Sequence, residues 1–314
     1  MPHTLLIGFL ICARGDSQVL TPARLGRFAF LCACLLMRGL VTVEAGFAAG
    51  NGSAQQKLHI AGLEVAAWIP SHYAAGPWPI IIFSHGFHGC NTQSIFLMER
   101  LAGAGYAVFA PNHRDAACGN IGAWFTRPEA PFRDQRKWTD ATFADRAEDI
   151  ERLLNALSGD PRYNSPAFDW QHVGLVGHSL GGYTVLELGG AWRRWKDPRV
   201  KAVLALSPYA APFIWRKTLS GIDVPVMYQG GTRDYGITPF VNKGDGAYDQ
   251  TPAPKYFVDF DGAGHFAWTN LRGTYHAAIV DYSVAFLNHY LKSKPFPHAL
   301  GEPHKNVALV KIKE

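Results

Sequence analysis

The segment Gly177-His178-Ser179-Leu180-Gly181 holds a serine between glycines two residues before it and two after. A serine at the apex of a sharp strand-to-helix turn needs this spacing, because a Cβ at either outer position would meet the turned backbone. The preceding Val173-Gly-Leu-Val176 predicts a buried strand and the following Tyr183-Thr-Val-Leu-Glu-Leu188 a helix. Ser179 would then stand at a helix N-terminus, where free backbone N–H groups and the helix dipole stabilise an oxyanion. With 32 glycines in 314 residues the spacing alone arises by chance, so the flanking pattern carries the weight.

A serine hydroxyl is a poor nucleophile near neutral pH, and it needs a histidine base held in the right tautomer by a carboxylate. Asp234 follows the apolar run Val224–Gln229 in Gly230-Gly-Thr-Arg-Asp234, and His265 follows Tyr256–Phe260 in Asp261-Gly-Ala-Gly-His265. Other histidines fit less well. His276 and His289 fall in a predicted helix, His298 and His304 in a polar tail, and His178 in the serine turn with its side chain directed away from Ser179. Asp259 and Asp261 lie too near His265 in sequence to orient it, and Asp245 and Asp249 belong to a glycine-rich loop. The backbone N–H groups of Leu180 and of Phe87, the latter in Ser84-His-Gly-Phe87, are the expected pair facing a developing oxyanion. His85 is expected to pack and fix that turn. His85 and His88 lie on a glycine-rich loop with no carboxylate nearby in sequence, so no metal is expected.

These residues need a scaffold that brings several strand ends together. From about Lys57 the chain alternates strand and helix patterns without a repeat, which predicts one α/β domain with a mostly parallel sheet. Leu58–Pro70 reads as an opening strand or hairpin, and Pro79–Phe83, Tyr106–Ala110 and Val200–Leu206 as further strands. Helices are expected over about Ser94–Ala104, Phe143–Leu157 and Tyr275–Leu291, the last closing the domain. The stretch from Asn112 to Trp138, rich in Gly, Pro, Arg and aromatics, is too long for an ordinary connection and suits a binding loop. Trp124, Trp215 and Trp268 are candidate aromatic contacts for an apolar substrate group, and Arg114 with Asp115 is expected to form a structural polar link.

Before the domain, Arg24 and Arg27 precede the apolar run Phe28–Met37, with small residues at Ala45, Gly46, Ala48 and Ala49. This predicts a leader over residues 1–50, cleaved near Ala45 or Ala49, and a domain over 51–314 in a secreted or periplasmic protein with no stable membrane insertion afterwards; an uncleaved membrane anchor or a start of translation later than Met1 would fit the same residues. Cys90 and Cys118 are the two cysteines beyond the leader, and a disulfide between them is a reasonable expectation. The formal charge of +5 is spread out, without the clustered Lys/Arg footprint of a nucleic-acid binder.

Together, Ser84-His-Gly-Phe87, Pro111-Asn-His-Arg-Asp115, Gly177-His-Ser-Leu-Gly-Gly182, Gly230-Gly-Thr-Arg-Asp234 and Gly264-His265 resemble an α/β-hydrolase. The nearest branch is that of dienelactone-hydrolase-like and platelet-activating-factor-acetylhydrolase-like esterases, related to bacterial polyester hydrolases, over roughly Leu58–Leu291. The resemblance implies an eight-stranded mostly parallel sheet flanked by helices, a serine esterase acting on a small-molecule or lipid ester through Ser179, Asp234 and His265, and no cofactor. A serine stands where dienelactone hydrolases proper carry a cysteine. Another acyl hydrolase or acyltransferase on the same three residues, or an inactive binding protein on this scaffold, would fit the same sequence.

Overall fold

The computed structural model describes residues 54–70, 76–118, 132, 134–301 and 305–314. The expected leader, Trp124 and most of the long aromatic loop lie outside them.

The described residues form one sheet of nine strands: β1 (Gln56–Ile60), β2 (Leu63–Trp68), β3 (Trp78–Ser84), β4 (Ala107–Pro111), β5 (Phe168–His178), β6 (Val200–Leu206), β7 (Val226–Gly231), β8 (Lys255–Phe260) and β9 (Val307–Lys313). Their order is β1-β2-β4-β3-β5-β6-β7-β8-β9, with β3 to β8 parallel and β1, β2 and β9 antiparallel. Seven α-helices accompany them: α1 (Ile95–Gly103), α2 (Ala144–Gly159), α3 (Leu180–Leu186), α4 (Ala211–Arg216), α5 (Thr238–Asn242), α6 (Ala247–Gln250) and α7 (His276–Lys292).

The central strands are buried on both faces, and the alternation along β3 sorts its side chains between two cores. Ile80 and Ile82 pack with Ile150, Leu153, Leu154 and Leu157 of α2, while Ile81 and Phe83 pack with Leu97, Met98 and Leu101 of α1 and Ile279, Phe286 and Leu287 of α7. Two elements differ from the sequence expectation. The strand expected from Val224 begins at Val226, because Pro225 has no N–H to give the ladder and contributes only its carbonyl, which accepts Val203 N–H at 2.9 Å. The presumed polar tail supplies β9, which pairs antiparallel with β8 and makes nine strands where eight were expected. Its lysines made it look like solvated chain, yet lysine on an edge strand is a usual guard against pairing with another molecule.

The chain leaves β3 for β4 on one side and returns to β5 on the other, so the strand order reverses at β3. Ligands of open parallel sheets bind beyond the carboxyl ends at such a point. Ser84 at the end of β3 is in register with Gly177 near the end of β5, which sets the loop after β3 beside the serine turn.

A disulfide joins Cys90 to Cys118, with Cα atoms 5.5 Å apart, and ties the loop after β3 to the loop after β4. Closing a loop of sequence separation 28 is worth about 3–4 kcal/mol in the chain-entropy model. Substituting both cysteines by serine should lower the unfolding free energy in urea by about that amount. A midpoint unchanged from wild type would mean the bridge contributes nothing.

Candidate active site

Ser179 adopts φ 55°, ψ −115°, a positive φ that costs a non-glycine residue about 1–3 kcal/mol unless its surroundings enforce it. The enforcement is visible at the two glycines. A Cβ on Gly177 would lie 2.1 Å from Gly181 O, and one on Gly181 would lie 2.0 Å from Ser84 O. The turn therefore closes only with glycine at both places. Ser179 N–H donates to Leu206 O at 3.0 Å, and Tyr209 N–H donates to Ser179 O at 2.9 Å, which fixes the apex to the end of β6.

His265 follows β8 on a one-turn 3-10 helix, and its Nε2 lies 2.9 Å from Ser179 Oγ. Its Nδ1 lies 3.2 Å from Asp234 Oδ2, on the turn after β7. The Asp234 side chain is buried, whereas that of His265 keeps 23% of its surface exposed, so the line of three groups opens to solvent at the serine end. The structure thus brings together the three residues singled out in the sequence, from three loops at the carboxyl ends of β5, β7 and β8. Ser207, directly after β6, stands against the same pair: its Oγ is 2.9 Å from His265 Nδ1 and bonded to Asp234 Oδ2. Nothing in its sequence context, Leu206-Ser-Pro-Tyr209, marked it.

The loop after β3 covers the serine closely. A Cβ on Gly86 would come within 3.3 Å of Ser179 Cβ and within 3.2 Å of Gln93 Oε1, so a side chain there would push its neighbours by a few tenths of an ångström. Gly86 N–H is already used, donating to Gln93 Oε1 at 3.0 Å. Among the described residues no protein acceptor takes the N–H of Phe87 or of Leu180.

Beneath the loop, Arg146 of α2 is fully buried. Its guanidinium donates to Asp115 Oδ1 at 3.0 Å and Oδ2 at 2.8 Å, to His85 O at 2.8 Å and to Gly86 O at 3.2 Å. Burial alone would raise the Asp115 carboxyl, but the facing Arg146 charge and its two hydrogen bonds hold it well below the usual carboxylate range. Asp115 therefore pairs with Arg146 of α2, and the expected Arg114–Asp115 link is corrected: Arg114 is exposed. His85 donates from Nδ1 to Gly86 O at 2.7 Å and accepts His113 N–H on Nε2 at 3.1 Å, as a packed turn residue. Burial and the neighbouring Arg146 charge push it well below the ordinary histidine value, so it stays neutral. His113 in turn bridges Ser84 Oγ at 2.9 Å and Asp149 Oδ2 at 3.0 Å, a serine, histidine and aspartate line sealed inside the fold.

His178 points away from Ser179 and joins the two sides of the site. Gln93 Nε2 donates to its Nδ1 at 3.0 Å, and its Nε2 donates to His265 O at 2.9 Å. Burial pushes it down to about 3, so it remains the neutral Nε2–H tautomer that these bonds require.

The tryptophan expectations fare differently. Trp268 is buried, contrary to a place on the rim: the helical turn of His265–Trp268 carries its ring inward, where its N–H donates to Gln229 Oε1 at 3.0 Å and its centroid lies 6.3 Å from the His178 ring. It supports the base loop from below. Trp215 of α4 is 43% exposed, within cation–π range of Arg136 and Lys243. Phe87, on the loop after β3, Phe132 and Tyr209, whose N–H bonds Ser179 O, form a series with ring centroids 5.0 and 5.1 Å apart. Among the described residues no group of three or more His, Cys, Asp or Glu side chains could hold a metal ion.

The sequence profile of the alpha/beta hydrolase family matches residues 81–300, which contain every side chain of this site. The protein belongs to the alpha/beta hydrolase family. This hydrolase is 25% identical to cutinase est2 of Thermobifida alba over 213 residues, covering 67% of this chain and 59% of the relative. Cutinase est1 of the same organism is 24% identical over 213 residues, 67% of this chain and 60% of the relative. The platelet-activating factor acetylhydrolase of Gallus gallus is 23% identical, covering 48% of this chain and 43% of the relative. The matches thus span about three-fifths of the cutinases and less than half of the acetylhydrolase. Among the described residues no helix is long and apolar enough to cross a membrane.

Proposed function

We propose that this alpha/beta hydrolase cleaves carboxylic esters through an acyl-enzyme on Ser179, with His265 as general base, Asp234 orienting it, and the N–H groups of Phe87 and Leu180 holding the oxyanion. The observation that carries this reading is the unbroken line from Ser179 Oγ to His265 Nε2 at 2.9 Å and from His265 Nδ1 to Asp234 Oδ2 at 3.2 Å, at the open end of a buried carboxylate. The relatives named cutinase and acetylhydrolase support the same reaction class.

In the forward half-reaction Ser179 Oγ forms a bond to the carbonyl carbon while its proton passes to His265 Nε2. The carbonyl electrons move to oxygen, which two backbone N–H donors stabilise. The tetrahedral species then expels the alcohol, and the imidazolium gives it the proton. Water repeats the sequence on the acyl-enzyme and releases the acid. Phe87, Phe132 and Tyr209 favour an apolar acyl or alkyl group, as in short-chain, lipid-like or polyester-like substrates. Export fits the Cys90–Cys118 disulfide, since such bonds persist in oxidising compartments.

The test is hydrolysis of p-nitrophenyl esters from acetyl to dodecanoyl, with a fluorescent alkyl phosphonate whose attachment point is read by peptide mass spectrometry. Turnover together with phosphonate on Ser179 is the expected result. A folded protein that neither turns over nor takes the label would refute the reading, and faster product formation with added alcohol than with water would make it an acyltransferase.

A further inference from the structure

Two oxygens, Ser207 Oγ and Asp234 Oδ2, meet at His265 Nδ1, and one arrangement of the protons satisfies all three atoms. Ser207 Oγ is bonded to Asp234 Oδ2 and lies 2.9 Å from His265 Nδ1. A carboxylate only accepts, so the single Ser207 hydroxyl proton points at Asp234. Ser207 Oγ must then accept from His265, which requires the proton on Nδ1, shared between Ser207 Oγ and Asp234 Oδ2 at 3.2 Å. The other tautomer would leave the Ser207 oxygen and the imidazole nitrogen facing each other with no proton between them. A proton on Nδ1 leaves the Nε2 lone pair for the Ser179 hydroxyl.

The position of Ser207 is held with unusual force. It is fully buried and has φ 43°, a conformation that a serine adopts only where the surroundings demand it. Its N–H donates to Gln229 O at 2.7 Å. Pro208 follows, restricting the backbone of the residue before it, and a Cβ on Gly182 at the start of α3 would lie 2.6 Å from Pro208 Cβ. Tyr209 N–H then closes the turn onto Ser179 O at 2.9 Å. The same short turn therefore carries the Ser207 hydroxyl and grips the backbone of Ser179.

We propose that Ser207 is a positioning residue for the base: its hydroxyl fixes the tautomer and ring plane of His265, through contacts with His265 Nδ1 and Asp234 made from a turn locked to Ser179. The inference rests on the ester-hydrolase reading. Ser207 touches no substrate, so its loss should fall on kcat and spare KM.

The experiment compares wild type with Ser207→Ala, Ser207→Gly and Ser207→Cys for p-nitrophenyl ester turnover, phosphonate labelling rate and thermal midpoint. Glycine is the deciding variant, because it removes the hydroxyl while accepting the positive φ without strain. Ser207→Gly is expected to keep the wild-type thermal midpoint or exceed it, to lose about 10- to 100-fold in kcat and labelling rate, and to keep KM within about twofold. Ser207→Ala should lose a similar factor in kcat, and Ser207→Cys, which retains a weak donor, should recover part of it. Alanine and glycine variants with kcat within about twofold of wild type would overturn the proposal, as would a loss confined to the thermal midpoint. If wild type itself neither turns over nor labels, the ester-hydrolase reading falls and this inference falls with it.

Discussion

Ser179→Ala is expected to lower kcat for a p-nitrophenyl ester by about a millionfold, the scale on which a serine nucleophile acts in concert with its base. Covalent phosphonate labelling should vanish, and KM should stay within a few-fold. The geometry explains the separation. Deleting Oγ removes the atom 2.9 Å from His265 Nε2, but leaves the loop backbone in place, because Gln93 and Arg146 hold Gly86 and His85 and the helix α3 carries Leu180, none of them through the serine hydroxyl. Alanine also accepts the turn no worse than serine, since the strain at φ 55° belongs to the Cβ that both share. Titration with the phosphonate followed by turnover of the same samples checks both halves. A variant that still labels would show that another residue is the nucleophile.

The parts of the site visible in the sequence were those whose chemistry and backbone needs coincide. Gly177 and Gly181 were readable because the turn closes on backbone atoms about 2 Å from where a Cβ would stand, so no other residue type substitutes. Asp234 and His265 were readable because each follows an apolar run and a glycine-rich turn. Ser207 and Gln93 were not, since a lone serine or glutamine beside a strand or helix is common, and their significance lies in contacts made across the sheet with residues 58 and 85 positions away. Arg146 sits in a helix dense with charge, Ala144-Asp-Arg-Ala-Glu-Asp149, where a solvated face is the ordinary expectation. Periodicity did identify the inward leucines of that helix, but it could not say that the arginine four residues before Ile150 also turns inward to meet Asp115. The strand β9 escaped for a related reason: 46 residues lie between it and its partner β8, by the bounds Phe260 and Val307, and Lys311 and Lys313 break its apolar run with charge.

That buried arginine sets the second large expectation. Arg146→Met should destabilise the fold by about 3–5 kcal/mol, the usual result of stripping one partner from a buried pair, because Asp115 would be left enclosed without its countercharge, facing His88 N–H at 3.2 Å. The loss should also reach catalysis, since the carbonyls of His85 and Gly86 lose their donor and the Phe87 N–H is the next in the chain. The pH dependence of stability distinguishes the charge effect from lost packing. Asp115 is held below the usual carboxylate range in the folded protein, so its contribution is fully present above that range and is lost as pH falls through its folded value. In Arg146→Met the burial that opposes ionisation is no longer outweighed, and Asp115 should take up a proton on folding. Wild type should therefore lose stability as urea titrations move to acid, whereas the variant's deficit should shrink over the same interval. Adding Asp115→Asn to Arg146→Met should recover part of the loss at neutral pH, since an amide costs less to enclose than an unpaired carboxylate. If the double variant is no more stable than Arg146→Met alone, the arginine acts through packing and its bonds to the carbonyls of His85 and Gly86, and the charge of Asp115 is incidental.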